Sequence, residues 1–435
     1  MVRIPFDKVI LSVVLLLVVI GLVNLYSASF YSDRSIFLKQ VIWVVVGFSL
    51  MIVLFFTKYE VLVSWAIPIY IVFLILTALT LFIGKEIRGT KSWLNIAGMG
   101  IQPSEFLKVG VLLLATKYLS AEGINPKKLS TVVVLAMIFI LPVGVILLQP
   151  DLGMAISYFL YFLLFSMIAG INAKYLLLLL FLGFSLAFFP FLNAYIDFLL
   201  KMGVIERVSK TVSVLISREF AYALLFSSIF IFLVSFVVSR VVREKTRLIL
   251  GILLFLFSLA FLLGNIAYNT LKPYQKNRLM VFFSPEVDRL GAGYNVIQSE
   301  IAIGSGGITG KGFLNGSQNK LNILPERHTD FAFSVLGEEW GFIGVGVVIT
   351  LFVILFIRLL WLISNAENMK SYFLLCGVTI VILINFTINM LMVLGLAPVT
   401  GLPLPFVSYG GSSIITNLAL IGIVNNIYRE RFIMY

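Results

Sequence analysis

The chain has 435 residues, of which 60% are hydrophobic and only 12% are charged. Because soluble globular domains carry about 25% charged residues, this composition excludes a protein whose surface lies mainly in water. The lone cysteine, Cys376, excludes a disulfide bond within the chain. The formal net charge of +12 does not by itself indicate nucleic acid binding, because surplus Lys and Arg in a membrane protein usually hold cytoplasmic loops in place.

About a dozen apolar segments are long enough to cross a bilayer, since a transmembrane helix needs about 20 mostly apolar residues. In chain order they are 9–29, 37–56, 62–83, 104–120, 130–149, 152–170, 174–191, 219–240, 247–267, 331–359, 372–395 and 411–427. Open strands cannot cross hydrocarbon with their backbone groups unpaired. The sequence therefore predicts an all-α polytopic membrane protein with about 12 transmembrane helices.

The charges of the short loops predict that both termini are cytoplasmic. With the N-terminus inside, most short-loop cations also fall inside, as the positive-inside rule expects. These cations are Lys58, Lys117, Lys127, Lys128, Lys174, Arg240, Arg243, Lys245, Arg247, Arg358, Lys370, Arg429 and Arg431.

Two segments predicted to lie outside depart from this rule. Residues 84–103 contain Lys85, Arg88 and Lys91. The large loop at 268–330 contains Lys272, Lys276, Arg278, Arg289, Lys311, Lys320 and Arg327. Long loops can be translocated regardless of charge. Alternatively, these cations face an anionic ligand outside the membrane, such as a phosphate group.

Polar residues at the start of the 104–120 segment form the first notable motif. Pro103 and Ser104 can begin a helix, and Glu105 suits its positive end. Lys108 lies one turn later on the same helix face as Glu105. An ion pair within a membrane span indicates a functional site.

Four further motifs place polar or helix-breaking residues near membrane depth. Asp151 either caps the next helix or belongs to a site, and the glycines at 304–312 form either turns or a phosphate-binding loop. His328 could serve a metal site or a triad, but the sequence supplies no other ligands for one. Glu338 and Glu339 lie within a span and should face protein or a wet cleft. The motifs are 149–153, 304–312, 325–330 with Glu338 and Glu339, and 403–413.

Taken in order, these motifs resemble the SEDS family (shape, elongation, division and sporulation proteins), and more closely its elongation members than its division members. The resemblance covers most of the chain as one membrane domain, 1–435. It includes Gln102–Glu105, Gln149–Gly153, Tyr274 with Gln275 and Arg278, Pro285–Asp288, Gly293 with Tyr294, Gln298 with Ser299, Pro325–Asp330, Glu338 with Glu339, and Gly401–Ser413.

The middle of the chain departs from the family pattern. Family members usually have a core of about ten spanning helices, each of membrane-crossing length. Residues 173–240 resemble an inserted helix pair with an outer loop near 192–218. An even insertion preserves the orientation of every later helix.

The resemblance implies a peptidoglycan glycosyltransferase that polymerises lipid II during cell elongation, on the outer face of the bacterial cytoplasmic membrane. The acceptor hydroxyl would attack the donor sugar's anomeric carbon, and polyprenyl diphosphate would leave. Since diphosphate is a good leaving group, one carboxylate base and nearby cations suffice. The resemblance makes Asp288 the leading base, whereas the residues alone favour a turn aspartate after Pro285.

The same resemblance suggests the residues that would bind substrate. Arg278, Lys311 and Arg327 would stabilise the diphosphate, while Glu105 and Lys108 would line or brace the pocket. The remaining candidates lie in motifs that match the family: Trp93, His328, Asp330 and Ser408. A divalent cation such as Mg²⁺ or Mn²⁺ would help neutralise the diphosphate, but the sequence shows no dedicated metal ligands, so no cofactor is assigned.

The family lacks a transpeptidase, so the resemblance implies a class B penicillin-binding protein as the partner that crosslinks the strands. It also implies other membrane proteins of the elongation machinery as partners. Nucleic acid is not expected to bind. Two other functions stay open. Intramembrane charges and broken helices would also suit a lipid II flippase or other transporter. A non-catalytic scaffold of the elongation machinery would need no charged pocket.

Overall fold

The computed structural model describes residues 5–87, 89–96, 98–201, 218–242, 245–288, 291–321 and 323–431. Arg88, Arg243, Arg289 and most of the 192–218 loop lie outside the described residues. The chain forms two compact units. Unit 1 comprises Met1–Ile171 and Asn295–Tyr435, and unit 2 comprises Asn172–Tyr294.

Helices account for most of both units. The first part of unit 1 contains α1 (Lys8–Phe30), α2 (Ser35–Phe56), α3 (Tyr59–Ser64), α4 (Ala66–Ile83), β1 (Lys85–Ile87), β2 (Thr90–Ile96), β3 (Met99–Ile101), α5 (Pro103–Leu119), α6 (Leu129–Leu148) and α7 (Leu152–Ile168). Unit 2 contains α8 (Ala173–Lys201), α9 (Arg218–Val242), α10 (Lys245–Thr270), α11 (Pro273–Phe283) and a 3-10 turn at Pro285–Asp288. The chain then continues through α12 (Ala292–Gly306), α13 (Ser317–Lys320), α14 (Ala332–Ser364), α15 (Met369–Val393) and α16 (Gly411–Arg431).

The predicted all-α membrane fold is confirmed, and the chain is a multi-pass membrane protein. Every predicted spanning segment except 62–83 lies almost entirely within one helix in the described part of the chain. Among the described residues, 8 helices are long and apolar enough to cross a membrane, and Leu152–Ile168 and Phe220–Phe236 are shorter apolar helices. The predicted 62–83 span is divided at Trp65 into α3 and α4.

Helix α16 carries several polar side chains, and it can do so in a membrane protein because other parts of the protein enclose it. Asn417, Asn425 and Asn426 lie along it, and its residues from 411 to 427 are all buried. It packs against α2 and α5. Since lipid does not contact this helix, polar side chains can hydrogen-bond within the protein instead of facing hydrocarbon.

A small sheet occupies the segment between α4 and α5, where the sequence indicates only a cationic loop. Strands β1, β2 and β3 are antiparallel and follow in that order. Trp93 on β2 pairs with Lys85, and its ring lies against Gly100. The sheet therefore holds the Trp93 side chain at a fixed place immediately before α5.

Helix α14 is broken at Gly341, where φ is 63° and ψ is −161°. The 307–312 loop supplies backbone partners on both sides of the break. Phe342 N donates to the Gly307 carbonyl at 2.9 Å, and Lys311 N donates to the Glu338 carbonyl at 3.0 Å. The glycine-rich segment therefore pairs with a broken helix, which satisfies backbone groups that could not be left open at membrane depth.

Replacing Gly341 with Ala is expected to destabilise the protein by about 1–3 kcal/mol, because an L side chain is strained at this positive φ. Its Cβ would also lie 2.7 Å from the Ile308 carbonyl oxygen. The measurement is thermal unfolding of the purified protein in detergent. Gly346→Ala is the matched control, since a Cβ there meets nothing within 4 Å. Equal unfolding temperatures for the two variants would contradict a structural requirement for the break.

Candidate functional site

The start of α5 carries a buried ion pair. Lys108 Nζ lies 2.8 Å from Glu105 Oε1, and the two side chains are 1% and 3% exposed. The pair predicted from the one-turn spacing is therefore confirmed. Among the described residues, the buried atoms Glu105 Oε2 and Ser104 Oγ have no hydrogen-bond partner, so the start of α5 retains hydrogen-bonding capacity that the protein itself does not use.

Two tyrosines of α7 form the wall beside this pair. Tyr158 donates a hydrogen bond to the Ser104 carbonyl at 2.6 Å. Tyr161 lies beside Lys108 and donates to Asn385 Oδ1 at 2.6 Å. Packing from α7 and α15 therefore fixes the position of the charged pair on α5.

Gln102 joins three of the predicted motifs. Its backbone N–H donates to Ser412 Oγ at 2.8 Å, and its side-chain Nε2 donates to Asp151 Oδ2 at 3.1 Å. Asp151 also accepts a hydrogen bond from Met154 N, which confirms its expected role as the cap of α7. The motifs at 102–105, 149–153 and 401–413 thus meet at the start of α5.

The non-helical segment before α16 contacts the histidine motif. Tyr409 N donates to the His328 carbonyl at 2.8 Å, and the two rings are 6.0 Å apart. Ser408 is buried; its Oγ accepts from Leu404 N, and its carbonyl accepts from Gln40 Nε2 at 3.4 Å. Burial raises the pKa of the Tyr409 phenol. The structure therefore places Tyr409, the residue that follows Ser408, against His328.

The turn at 325–330 is tied to α1 and α15. Arg327 is 5% exposed, and its Nε donates to the Ala28 carbonyl at 2.8 Å. Burial lowers the pKa of the Arg327 guanidinium. Asp330 is also 5% exposed, and its carbonyl accepts from Asn389 Nδ2 at 3.0 Å. Both candidate residues are thus held within the protein.

Lys311 and Glu338 form a second ion pair, with a distance of 2.6 Å between Nζ and Oε1. The Glu338 side chain is fully buried, whereas that of Lys311 is 29% exposed. Ser317 donates to the same carboxylate oxygen from its backbone N–H and its hydroxyl. Glu339 accepts from Ser27 Oγ at 2.6 Å. The expectation that both glutamates face protein is confirmed.

Arg278 and Asp288 belong to unit 2. Arg278 lies on α11, with its guanidinium carbon 5.9 Å from the centre of the Tyr274 ring. Asp288 ends the 3-10 turn that follows α11. One helix and the turn after it thus connect the proposed base to a candidate diphosphate ligand.

Sequence reasoning missed several polar side chains inside apolar helices that hold these motifs. They are Asn24, Ser27 and Gln40 on α1 and α2, and Asn385 and Asn389 on α15. A polar side chain within an apolar run was the available signal, since such residues usually face the protein interior.

The described residues include no group of three or more His, Cys, Asp or Glu side chains that could hold a metal ion. A divalent cation that helps neutralise the diphosphate stays a prediction, and no step of the chemistry below is assigned to one.

The chain matches one known protein family and is similar to several proteins with curated names. A model of the cell cycle protein family of FtsW, RodA and SpoVE matches residues 7–213 and 192–432. The peptidoglycan glycosyltransferase RodA of Treponema pallidum is 34% identical over 427 residues, 97% of each chain. The peptidoglycan glycosyltransferase MrdB of Escherichia coli strain K12 is 30% identical over 99% of this chain and 95% of that protein.

Two solved structures are similar over nearly the whole chain. One is a chain from the structure of a peptidoglycan synthase complex that coordinates polymerization and crosslinking. Its TM-score is 0.68, and it is 27% identical over 98% of each chain. The other is the rod shape determining protein RodA of Thermus thermophilus, with a TM-score of 0.62 and 25% identity over 99% of each chain. The two matched ranges of the family model overlap at residues 192–213, which lie within the 173–240 segment. The insertion of a helix pair at 173–240 stays a prediction.

Proposed function

Because this chain belongs to the cell cycle protein family of FtsW, RodA and SpoVE, we propose that it is a peptidoglycan glycosyltransferase that polymerises lipid II during cell elongation. The observation that carries this proposal is the similarity to relatives named as peptidoglycan glycosyltransferases, which extends over 97% and 99% of the chain. The site is proposed to face the outer side of the cytoplasmic membrane, with both termini inside.

The proposed reaction is one displacement at the donor sugar's anomeric carbon. The acceptor hydroxyl oxygen forms the new bond to that carbon as the bond to diphosphate breaks, and polyprenyl diphosphate leaves with the electron pair. Asp288 takes the proton of the acceptor hydroxyl. A positioned carboxylate base contributes about 10²–10⁴-fold to such a reaction.

The proposed ligands of the leaving diphosphate are Arg278, Lys311 and Arg327. Cations placed where negative charge develops stabilise the transition state more than the ground state. Lys311 already pairs with Glu338, which fixes its position but offsets part of its charge. The remaining proposed binding residues are Trp93, Glu105, Lys108, His328, Asp330 and Ser408.

The proposed partner is a class B penicillin-binding protein, which would crosslink the strands that this chain polymerises. The resemblance to a chain from a peptidoglycan synthase complex supports this proposal, since that complex coordinates polymerization with crosslinking. Other elongation-complex membrane proteins are proposed to join the same assembly.

The alternative with structural support is lipid II transport. The buried pair of Glu105 and Lys108 and the break of α14 at Gly341 are features that transporters also use. A non-catalytic scaffold would need neither feature.

The deciding experiment incubates the purified full chain with fluorescent lipid II, alone and with the partner penicillin-binding protein. The glycosyltransferase proposal expects glycan strands in at least the partnered reaction. A parallel assay measures lipid II movement across liposomes. Movement without glycan would support the transporter, and neither activity would support the scaffold.

A further inference from the structure

Helix α8, the first helix of the predicted insertion, packs closely on α10 within unit 2. Asn193 Nδ2 donates to Asn265 Oδ1 at 2.7 Å in a buried contact. Next to it, Gly264 lets the helices approach, since a Cβ there would lie 2.7 Å from Phe189 Cβ. The two helices are therefore fixed together by polar and apolar contacts.

The second half of α8 also packs along α11. Tyr195 lies 5.1 Å from Phe283 and Phe191 lies 5.9 Å from Phe282, measured between ring centres. Aromatic rings at such separations attract one another beyond simple burial. These contacts place α8 against the end of α11 that leads into the 3-10 turn.

A chain of polar contacts links α8, α10 and α11 at the corner between α10 and α11. The Tyr268 hydroxyl on α10 donates to Asp197 Oδ2 on α8. Lys276 on α11 lies with its Nζ 4.6 Å from the centre of the Tyr268 ring. Tyr268 is 4% exposed. Asp197 thus holds the aromatic ring on which the α11 cation rests.

The direction of α11 determines where the chain delivers Asp288. Lys272 N donates to Gln275 Oε1 at 2.9 Å, which fixes the first turn of α11. Only Ser284 separates the end of α11 from the Pro285–Asp288 turn. A rotation of α11 about its own axis would therefore carry this turn with it.

We propose that Asp197 is a positioning residue for the polymerisation reaction, acting through Tyr268 and α11 on the turn that carries Asp288. This inference rests on the proposed glycosyltransferase function. In this proposal, α8, the first helix of the predicted insertion, holds α11 in position, and α11 precedes the proposed base.

The test compares Asp197→Asn, Tyr268→Phe and the double variant as full-length proteins with the penicillin-binding protein. Each single variant is expected to lower kcat by about tenfold per folded molecule, because Tyr268→Phe removes the hydrogen bond and Asp197→Asn removes the charge that strengthens it. KM should change by less than about twofold, because the loss falls on the chemical step. The double variant should be no worse than Tyr268→Phe alone, because without the Tyr268 hydroxyl no bond is left for residue 197 to accept.

The matched control is Asn193→Leu with Asn265→Leu, which removes a polar contact between the same helices but does not touch α11. Replacing both partners of a buried hydrogen bond by apolar groups can be nearly neutral, so this control should keep the wild-type kcat. An equal loss in the control would overturn the proposal, because general loosening of α8 would then explain the effect.

Hydrogen exchange of residues 273–283 provides a readout independent of activity. Asp197→Asn should raise the exchange rate there, and the control should not; unchanged exchange in Asp197→Asn would overturn the proposal. If the wild-type chain makes no glycan, the proposed function fails, and with it the inference that Asp197 serves polymerisation. If the wild type is active and Asp197→Asn has wild-type kcat, only the positioning inference fails.

Discussion

Replacing Asp288 with Asn is expected to lower the rate of glycan polymerisation by about 10²–10⁴-fold, the usual contribution of a positioned general base. Asparagine has nearly the same shape as aspartate but cannot accept the proton of the acceptor hydroxyl. The residue ends the 3-10 turn after α11, so the substitution should not affect any helix. The measurement is the initial rate on labelled lipid II with the partner protein present.

Glu286→Gln is the matched control for this prediction. Glu286 lies in the same turn and is exposed, so its substitution removes an equal charge from the same short segment. We expect its rate to stay within about threefold of wild type, because solvent and salt screen an exposed carboxylate. Near-normal polymerisation by Asp288→Asn, or equal losses in both variants, would exclude Asp288 as the base.

The helices could be predicted from the sequence because backbone N–H and C=O groups in hydrocarbon must be hydrogen-bonded within the protein. A long apolar run has to form a helix there, since no other open structure satisfies its backbone groups. The same reasoning could not locate the division at Trp65 or the break at Gly341. The break at Gly341 depends on backbone partners in the 307–312 loop, and apolar periodicity does not reveal such distant partners.

The candidate site was predictable only where its contacts are local. The pair of Glu105 and Lys108 follows from one-turn spacing on a helix, and the structure confirms it. The contact of His328 with Tyr409 joins two loops that are distant in sequence. A hydropathy pattern does not predict which distant loops contact each other. The motifs could therefore be recognised in the sequence, but their arrangement in space could not.

The three-stranded sheet shows a similar limit. Its longest strand, β2, has seven residues, and β1 and β3 have three each. Such short strands leave almost no alternating pattern to detect, because side-chain alternation needs several residues to stand out. The cations of this segment indicate ligand binding, but the sequence does not indicate the sheet that carries Lys85 and Lys91.

Replacing Lys108 with Met is expected to destabilise the protein by about 3–5 kcal/mol, the usual effect of leaving one charge of a buried pair unpaired. The Glu105 carboxylate would keep its place, 2% exposed, with no ammonium group beside it. Thermal unfolding in detergent measures the loss. Lys117→Met is the control on the same helix, because Lys117 binds the Ser64 carbonyl at an exposed position and its loss should have little effect.

The double variant, Glu105→Gln with Lys108→Met, separates stability from substrate binding. It removes both charges, so no buried charge is left without a partner, which is the main cost in Lys108→Met. We therefore expect it to recover most of the unfolding temperature lost in Lys108→Met. If it folds normally but polymerises lipid II far more slowly than wild type, the pair acts on substrate. If it folds and polymerises like wild type, the pair has only a structural role, and the proposal that it lines the substrate pocket is wrong.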